Sequence, residues 1–147
     1  MRAVVQRVKR AKVFIDQEIT AEIGQGFLVY LGITSTDTIE EVNKLAKKIA
    51  NLRVFEDKEG KMNLDLNHVS GEILVVSQFT LHADMKRGNR PSFTKAASPE
   101  IAIPLYEEFI KLLKKSHPVK TGVFGATMDI ASVNDGPVTL IYETEEL

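Results

Sequence analysis

Apolar residues alternate with polar ones from the first positions of the chain. Val4, Val5 and Val8 set among Arg2, Gln6 and Arg7 predict a strand over residues 2–8, and Val13-Phe14-Ile15 followed by Ile19 and Ile23 predicts another over 12–23. Gly24-Gln25-Gly26 then turns the chain into Phe27-Leu28-Val29-Tyr30-Leu31-Gly32-Ile33, an apolar run long enough for a strand buried on both faces. Beyond it the period changes. Asp37 followed by Glu40 has capping-box spacing, and Ile39, Val42, Leu45, Ala46, Ile49 and Leu52 recur at helical intervals, which predicts a helix. Arg53-Val54-Phe55 leads into a strand ended by the charged turn Glu56-Asp57-Lys58-Glu59-Gly60. Ile73-Leu74-Val75-Val76 has the β-branched character of a central strand, with Ser77-Gln78-Phe79-Thr80-Leu81 at its end.

Residues 82–97 are polar and contain Gly88-Asn89-Arg90-Pro91, a long connection of the kind that usually carries function. Ser98-Pro99-Glu100 reads as an N-cap, a first-turn proline and an acidic first turn, and Leu105, Phe109, Leu112 and Leu113 give a second helix its apolar stripe. Pro104 leaves two starts open: a helix beginning near Pro104, or one beginning earlier that gives up a hydrogen bond. His117-Pro118 ends this helix, and strands are predicted over 119–123, 128–133 and 138–142, the last two punctuated by a turn at Asn134-Asp135-Gly136-Pro137. Six or more strands with two helices and no internal repeat predict a single compact α/β domain over residues 1–147. Its architecture is mixed, largely antiparallel β layers packed against two main helices.

Composition narrows the classes. A chain of 147 residues that is 44% hydrophobic and 27% charged is too apolar for disorder and too mixed for a fibrous protein. There is no cysteine, which excludes disulfide scaffolds, thiolate metal sites, iron–sulfur clusters and cysteine nucleophiles together. No apolar run approaches the ~20 residues that span a bilayer, and polar residues interrupt the start, so no membrane partner is expected and the cytoplasm is the expected location. A net charge of −1 gives no whole-chain case for binding nucleic acid. Between Asp84 and Lys120, however, eight basic side chains (Lys86, Arg87, Arg90, Lys95, Lys111, Lys114, Lys115, Lys120) stand against four acidic ones (Asp84, Glu100, Glu107, Glu108), enough for a local phosphate-binding face or for a solvated helix and loop.

His68, His82 and His117 are widely spaced and form no metal-ligand pattern, so no metal is expected. Neither a nucleophile elbow nor a phosphate loop or dinucleotide fingerprint occurs, and no cofactor is expected. Two segments remain. Ser77 to Leu81 places hydroxyls, an amide and backbone N–H groups at the end of a buried strand, where α/β proteins commonly bind ligands. Asn134 to Pro137 is the other.

With these two segments, the opening Met1-Arg2-Ala3-Val4-Val5-Gln6-Arg7-Val8, Gly88-Asn89-Arg90-Pro91-Ser92-Phe93 and Phe124-Gly125-Ala126, the whole chain resembles the D-aminoacyl-tRNA deacylases, also called D-tyrosyl-tRNA deacylases. The resemblance implies a homodimeric, metal-independent hydrolase of chiral proofreading and translation quality control, with no DNA partner. It would cleave the ester joining a D-amino acid to the 3′-terminal adenosine of tRNA. It also implies that Gly136-Pro137, joined by a cis bond, projects from one subunit into the pocket of the other, braced by Arg7. Such a main-chain wedge would reject L-amino acids sterically and admit glycine.

For the chemical step, Ser77, Gln78, Phe79 and Thr80 are the catalytic candidates. Backbone N–H groups near Phe79 and Thr80 are placed by sequence to stabilise an oxyanion. Thr80 as nucleophile has no evident base, so attack by water assisted by the terminal 2′-hydroxyl, with Gln78 and Thr80 positioning the ester, is the preferred reading. Phe124, Gly125, Ala126 and Met128 are expected at the substrate, with Phe124 and Met128 flanking the adenine or simply packing in the core. Lys86, Arg87 and Arg90 are expected on RNA phosphates. A binding module without turnover and a threonine esterase indifferent to RNA are the competing readings.

Overall fold

The computed structural model describes residues 1–147 throughout. Its first element is a single strand, β1 (Arg2–Ile15), where two were expected. The alternation that marks strands is broken at Lys9 and Arg10, both exposed, and the strand simply runs through them. Asp16 and Gln17 turn the chain with positive φ angles of 49° and 68°, the geometry that suits a two-residue hairpin loop. The return is made by β2 (Glu18–Ile23) and β3 (Gly26–Gly32). Ala11 pairs with Ile23 and Val8 with Gly26, so the register is unbroken across Gly24-Gln25, and β2 and β3 together form one return strand with a two-residue gap.

The other edge of β1 is taken along its whole length by the last strand. Pairing runs from Arg2↔Glu143 to Phe14↔Asp129. The strand Asp129–Glu143 is therefore continuous, and the turn expected at Asn134-Pro137 is instead a bulge inside it. A turn between two strands and a bulge within one draw on the same residues, and only the pairing with β1 separates them.

Two crossovers supply the parallel part of the sheet. The first leaves β3 through helix α1 (Ile39–Ala50) and a small ribbon, β4 (Phe55–Glu56) with β5 (Met62–Leu64), and returns as β6 (Glu72–Ser77) parallel to β3. The second leaves β6 through helix α2 (Pro99–Leu113) and returns as β7 (Val119–Thr121) parallel to β6. The final strand is β8. Thr38 caps α1, one residue beyond the expected Asp37: Glu40 N–H donates to Thr38 Oγ1, and Thr38 N–H donates to Glu41 Oε2 at 2.8 Å. Asp37 binds Thr34 N–H instead. α2 begins at Pro99 with Pro104 inside it, so the Glu100 carbonyl lacks its i+4 donor.

Alternate residues of the central strands serve two cores. Phe27, Val29, Leu31, Ile73 and Val75 face α1 and α2, while Leu28, Leu74 and Val76 join Val8, Ala11, Val13, Ala21 and Ile23 in a second cluster closed by Met128 and Ile130. This accounts for the apolar run at 27–33: β3 is buried on both faces because the sheet curls over one and the helices cover the other.

Candidate active site

β3 and β6 run parallel and end side by side, and Gln78 N–H donates to Leu31 O at 2.8 Å just past the end of β6. The chain then enters a 3-10 turn, Phe79–His82. On the other side of β6, Gly122 N–H donates to Val75 O at 3.0 Å, which carries residues 123–128 past the same strand end. Segments some forty-five residues apart in sequence thus become facing walls. Ser77, Gln78 and Phe79 on one side and Phe124, Gly125, Ala126 and Met128 on the other enclose a cavity of about 280 Å³, floored by Leu31, Ile33, Val76, Ala97, Ala102 and Ile130. Ligands in open α/β sheets favour this position, at the carboxyl ends of strands.

The cavity is apolar with polar groups on one wall. Gln78 Nε2 donates to Thr80 Oγ1 at 2.5 Å, and Thr80 itself is exposed beside the lining residues. The amide thereby fixes the hydroxyl, which gives no hydrogen bond to a histidine, lysine or carboxylate. The start of the 3-10 turn leaves the N–H groups of Phe79 and Thr80 without partners inside the turn. Phe79, 56% exposed, meets Phe93 edge-on with centroids 5.0 Å apart, tying the turn to the loop that follows it. Behind the opposite wall, Tyr106 donates its hydroxyl to Val75 O at 3.2 Å and meets Phe124 edge-on at 5.6 Å. Burial pushes the Tyr106 phenol up to about 12. Gly122 is required by proximity, since a Cβ there would lie 2.6 Å from Met128 Sδ. No group of three or more His, Asp or Glu side chains is arranged to hold a metal ion.

Gly136 and Pro137 lie elsewhere. The β1–β8 register slips between Gln6↔Thr139 and Val8↔Asn134, so residues 135–138 stand opposite Arg7 alone and bow out of the sheet. The Gly136-Pro137 bond is cis, both residues are exposed, and neither they nor Arg7 line the cavity. Arg7 is only 6% exposed. Its Nη1 donates to Val54 O at 2.6 Å and its Nε lies 3.3 Å from both the carbonyl and Oδ2 of Asp135. Asn134 Nδ2 adds donations to Arg7 O and Val138 O, each at 3.0 Å. Gly136 has φ of 123°, and a Cβ on it would meet Val138 N at 3.0 Å and Arg7 Nη2 at 3.2 Å.

Lys86, Arg87 and Arg90 stand on an exposed tongue closed by two main-chain hydrogen bonds between Asp84 and Ser92, at 2.8 and 3.0 Å. None of the three forms an ion pair. Sequence reasoning missed Ala97 and Ala102, whose small side chains keep the cavity open, and Val54, Asn134 and Asp135, which frame the bulge. The asparagine beside Gly-Pro was the available signal, because its side chain readily satisfies irregular backbone.

A family model described as D-Tyr-tRNA(Tyr) deacylase matches residues 4–143. A curated D-aminoacyl-tRNA deacylase of Chloroflexus aurantiacus is 56% identical, covering 100% of this chain and 92% of the relative. Another from Dictyoglomus turgidum is 53% identical, covering 100% and 95%. Among solved structures, the c-Myc DNA unwinding element binding protein superposes with a TM-score of 0.91 at 44% identity, covering 97% of this chain and 98% of the other. A probable eukaryotic D-amino acid tRNA deacylase shares the fold, with a TM-score of 0.81 at 17% identity and coverage of 96% and 97%.

A mixed α/β fold with a polar-walled apolar cavity at its strand ends, matched along its length to deacylases, defines an ester hydrolase. Within that class the chain belongs to the D-aminoacyl-tRNA deacylase family.

Proposed function

We propose that this chain hydrolyses the ester between a D-amino acid, or glycine, and the 3′-terminal adenosine of tRNA, and that it does so in the cytoplasm as a homodimer whose protomers exchange their Gly136-Pro137 bulges. The carrying observation is the separation of two built features. The cavity has catalytic candidates on its wall, whereas the bulge is exposed, braced from behind by buried Arg7, and lines no part of it. A rigid exposed wedge and an unfilled cavity on one chain are complementary parts of a two-fold assembly.

In this reading the adenine enters the cavity between Phe124 and Met128, and the ester carbonyl lies against the N–H groups of Phe79 and Thr80. Water attacks the carbonyl carbon, and the developing oxyanion is held by those N–H groups. The bond to the ribose 3′-oxygen then breaks, and that oxygen takes a proton with the help of the adjacent 2′-hydroxyl, leaving free D-amino acid and tRNA. Thr80 positions the ester and is not the nucleophile, because its hydroxyl is oriented by Gln78 Nε2 and has no base to receive its proton. Main-chain carbonyls of the partner's Gly-Pro segment hold the substrate ammonium. An L side chain would be driven into that main chain, a D side chain points away, and glycine has nothing to clash. Lys86, Arg87 and Arg90 meet phosphates of the acceptor end.

The test is side-by-side deacylation of D-tyrosyl-, L-tyrosyl- and glycyl-tRNA, with and without chelator. Cleavage of the D and glycyl esters alone, unaffected by chelator, is expected; equal turnover of both enantiomers overturns the filter. Bulge exchange has its own assay. Mixing Gln78→Ala/Thr80→Ala with Gly136→Ala and allowing subunits to exchange should restore about one quarter of all sites, because half the dimers then carry one intact composite site. No recovery on mixing places the wedge in its own protomer.

A further inference from the structure

The 3-10 turn has a second opening at its far end. A cleft of about 390 Å³ is lined there by Arg2, His82, Asp84, Met85, Lys86 and Lys95. Arg2 is held in place: Nη1 donates to Leu81 O within the turn and Nε pairs with Glu143. Lys86 and Lys95 make no ion pair. Asp84, the one carboxylate of the lining, is engaged by Lys86 N–H at 2.9 Å, and His82 Nε2 is buried with no hydrogen-bond partner. The cleft therefore has a surplus of cations and an unsatisfied imidazole nitrogen, the complement of an anion.

We infer that this cleft is a phosphate subsite that takes the phosphodiester immediately 5′ of the terminal adenosine. The inference rests on the proposed reaction and adds to it the residues Arg2, His82 and Lys95. A four-residue 3-10 turn rises about 8 Å, so cleft and cavity are separated by a distance on the scale of one nucleotide. Both openings share that turn. Gln78 and Phe79 line the cavity at its start, and Arg2 is bonded to Leu81 O near its end. A phosphate clamped by Lys86 and Lys95 beside Arg2 thus fixes where the ester comes to rest, and the enzyme gains a measure of its substrate that a free aminoacyl ester cannot offer. Lysines suit this role as mobile point charges on a phosphate.

The experiment compares the parent protein with Lys86→Ala/Lys95→Ala, both positions being exposed. Binding of an uncharged CCA-ended RNA hairpin, followed by fluorescence anisotropy from 50 to 200 mM salt, should weaken, with the log–log salt slope reduced by about 1.4 for two lost single-strand contacts. In kinetics, KM for D-tyrosyl-tRNA should rise at least fivefold more than KM for D-tyrosyl-adenosine, which has no phosphate. A neutral methylphosphonate at the terminal linkage should erase the difference between parent and variant, whereas one placed a linkage further from the end should preserve it. Unchanged binding and salt slope overturn the subsite, as does an equal loss on both substrates or indifference to the methylphosphonate position. A parent protein that binds the hairpin through these lysines yet cleaves no D-aminoacyl ester retains the subsite and removes the proposed reaction.

Discussion

Arg7→Lys isolates the brace from the charge. The guanidinium of Arg7 reaches two places at once, Val54 O at 2.6 Å through Nη1 and the Asp135 carbonyl and carboxylate at 3.3 Å through Nε. A lysine ammonium keeps the charge but is a single point, so it can serve one end of that span and leaves the other without a donor. With Arg7 only 6% exposed, water does not replace the lost bond. One charge-assisted hydrogen bond and one stranded carbonyl are together worth about 2–4 kcal/mol. At about 2–4 °C per kcal/mol for a chain of this size, Tm should fall by roughly 5–15 °C. The bulge, released from Val54, should lose its set position, and a misplacement of about 1 Å at a reacting centre costs on the order of 10²-fold in rate. The assay is kcat/KM for D-tyrosyl-tRNA at a temperature where the melting curve shows both proteins fully folded, so that unfolding does not enter the rate. A variant that melts early but deacylates within twofold of the parent would refute the reasoning, since Arg7 would then stabilise the sheet without setting the wedge.

Three further outcomes follow from the same geometry. Thr80→Ala removes the hydroxyl that Gln78 orients and should lower kcat/KM by about tenfold or more without abolishing it, whereas a 2′-deoxy terminal adenosine should be the more damaging change; a dead Thr80→Ala enzyme, or a trapped acyl-threonine, would make Thr80 the nucleophile. Gly26→Ala would place a Cβ 1.8 Å from Glu72 O across the parallel β3–β6 pair and should cost at least about 3 kcal/mol by urea unfolding, whereas Gly24→Ala, with nothing within 4 Å, should stay within about 0.5 kcal/mol. Tyr106 ionises near 10 when unfolded and at about 12 when folded, so the unfolded chain releases its proton first; stability from this group is intact below pH 10 and lost as pH rises to 12, by about 2–3 kcal/mol, and Tyr106→Phe should shallow that alkaline decline while costing about 1 kcal/mol at pH 7.

What could be read from the chain follows the range of the interactions involved. The stripe of α1 repeats within a dozen residues, so the helix was legible, and its cap slipped by only one position because Asp37 and Thr38 are both competent caps followed three residues later by glutamate. The continuity of β1 was not legible. Lys9 and Arg10 break the period of two that signals a strand, and what carries the chain through them is hydrogen bonding to β8, more than a hundred residues away. For the same reason Asn134-Asp135-Gly136-Pro137 read as a turn. Those residues permit a tight reversal, and whether the chain reverses or bows is decided by whether the flanking segments pair with each other or with the same third strand. Here both flanks pair with β1.

The site divides along the same line. Ser77 to Thr80 stand out because polar groups at the exit of an apolar strand are locally unusual, and their role needs only β6 to be central. That they face Phe124 to Met128 depends on β7 returning parallel to β6, a crossover that sequence spacing does not encode. The bulge presents a third case. Its brace joins three separated segments, Arg7 from β1, the carbonyl of Val54 after α1, and Asp135 in β8, so it exists only once the sheet and first crossover are complete. A wedge held by such late contacts presents an exposed main chain whose position is nevertheless set by buried groups, and this is the combination a stereochemical filter requires. Main-chain atoms of a bulge flexible enough to yield would let an L side chain push them aside. Held from behind by Arg7 and Asn134, they can exclude it without reading what the side chain is, and so one protein can serve many D-amino acids while its cavity remains nearly featureless on the side the substrate's side chain leaves.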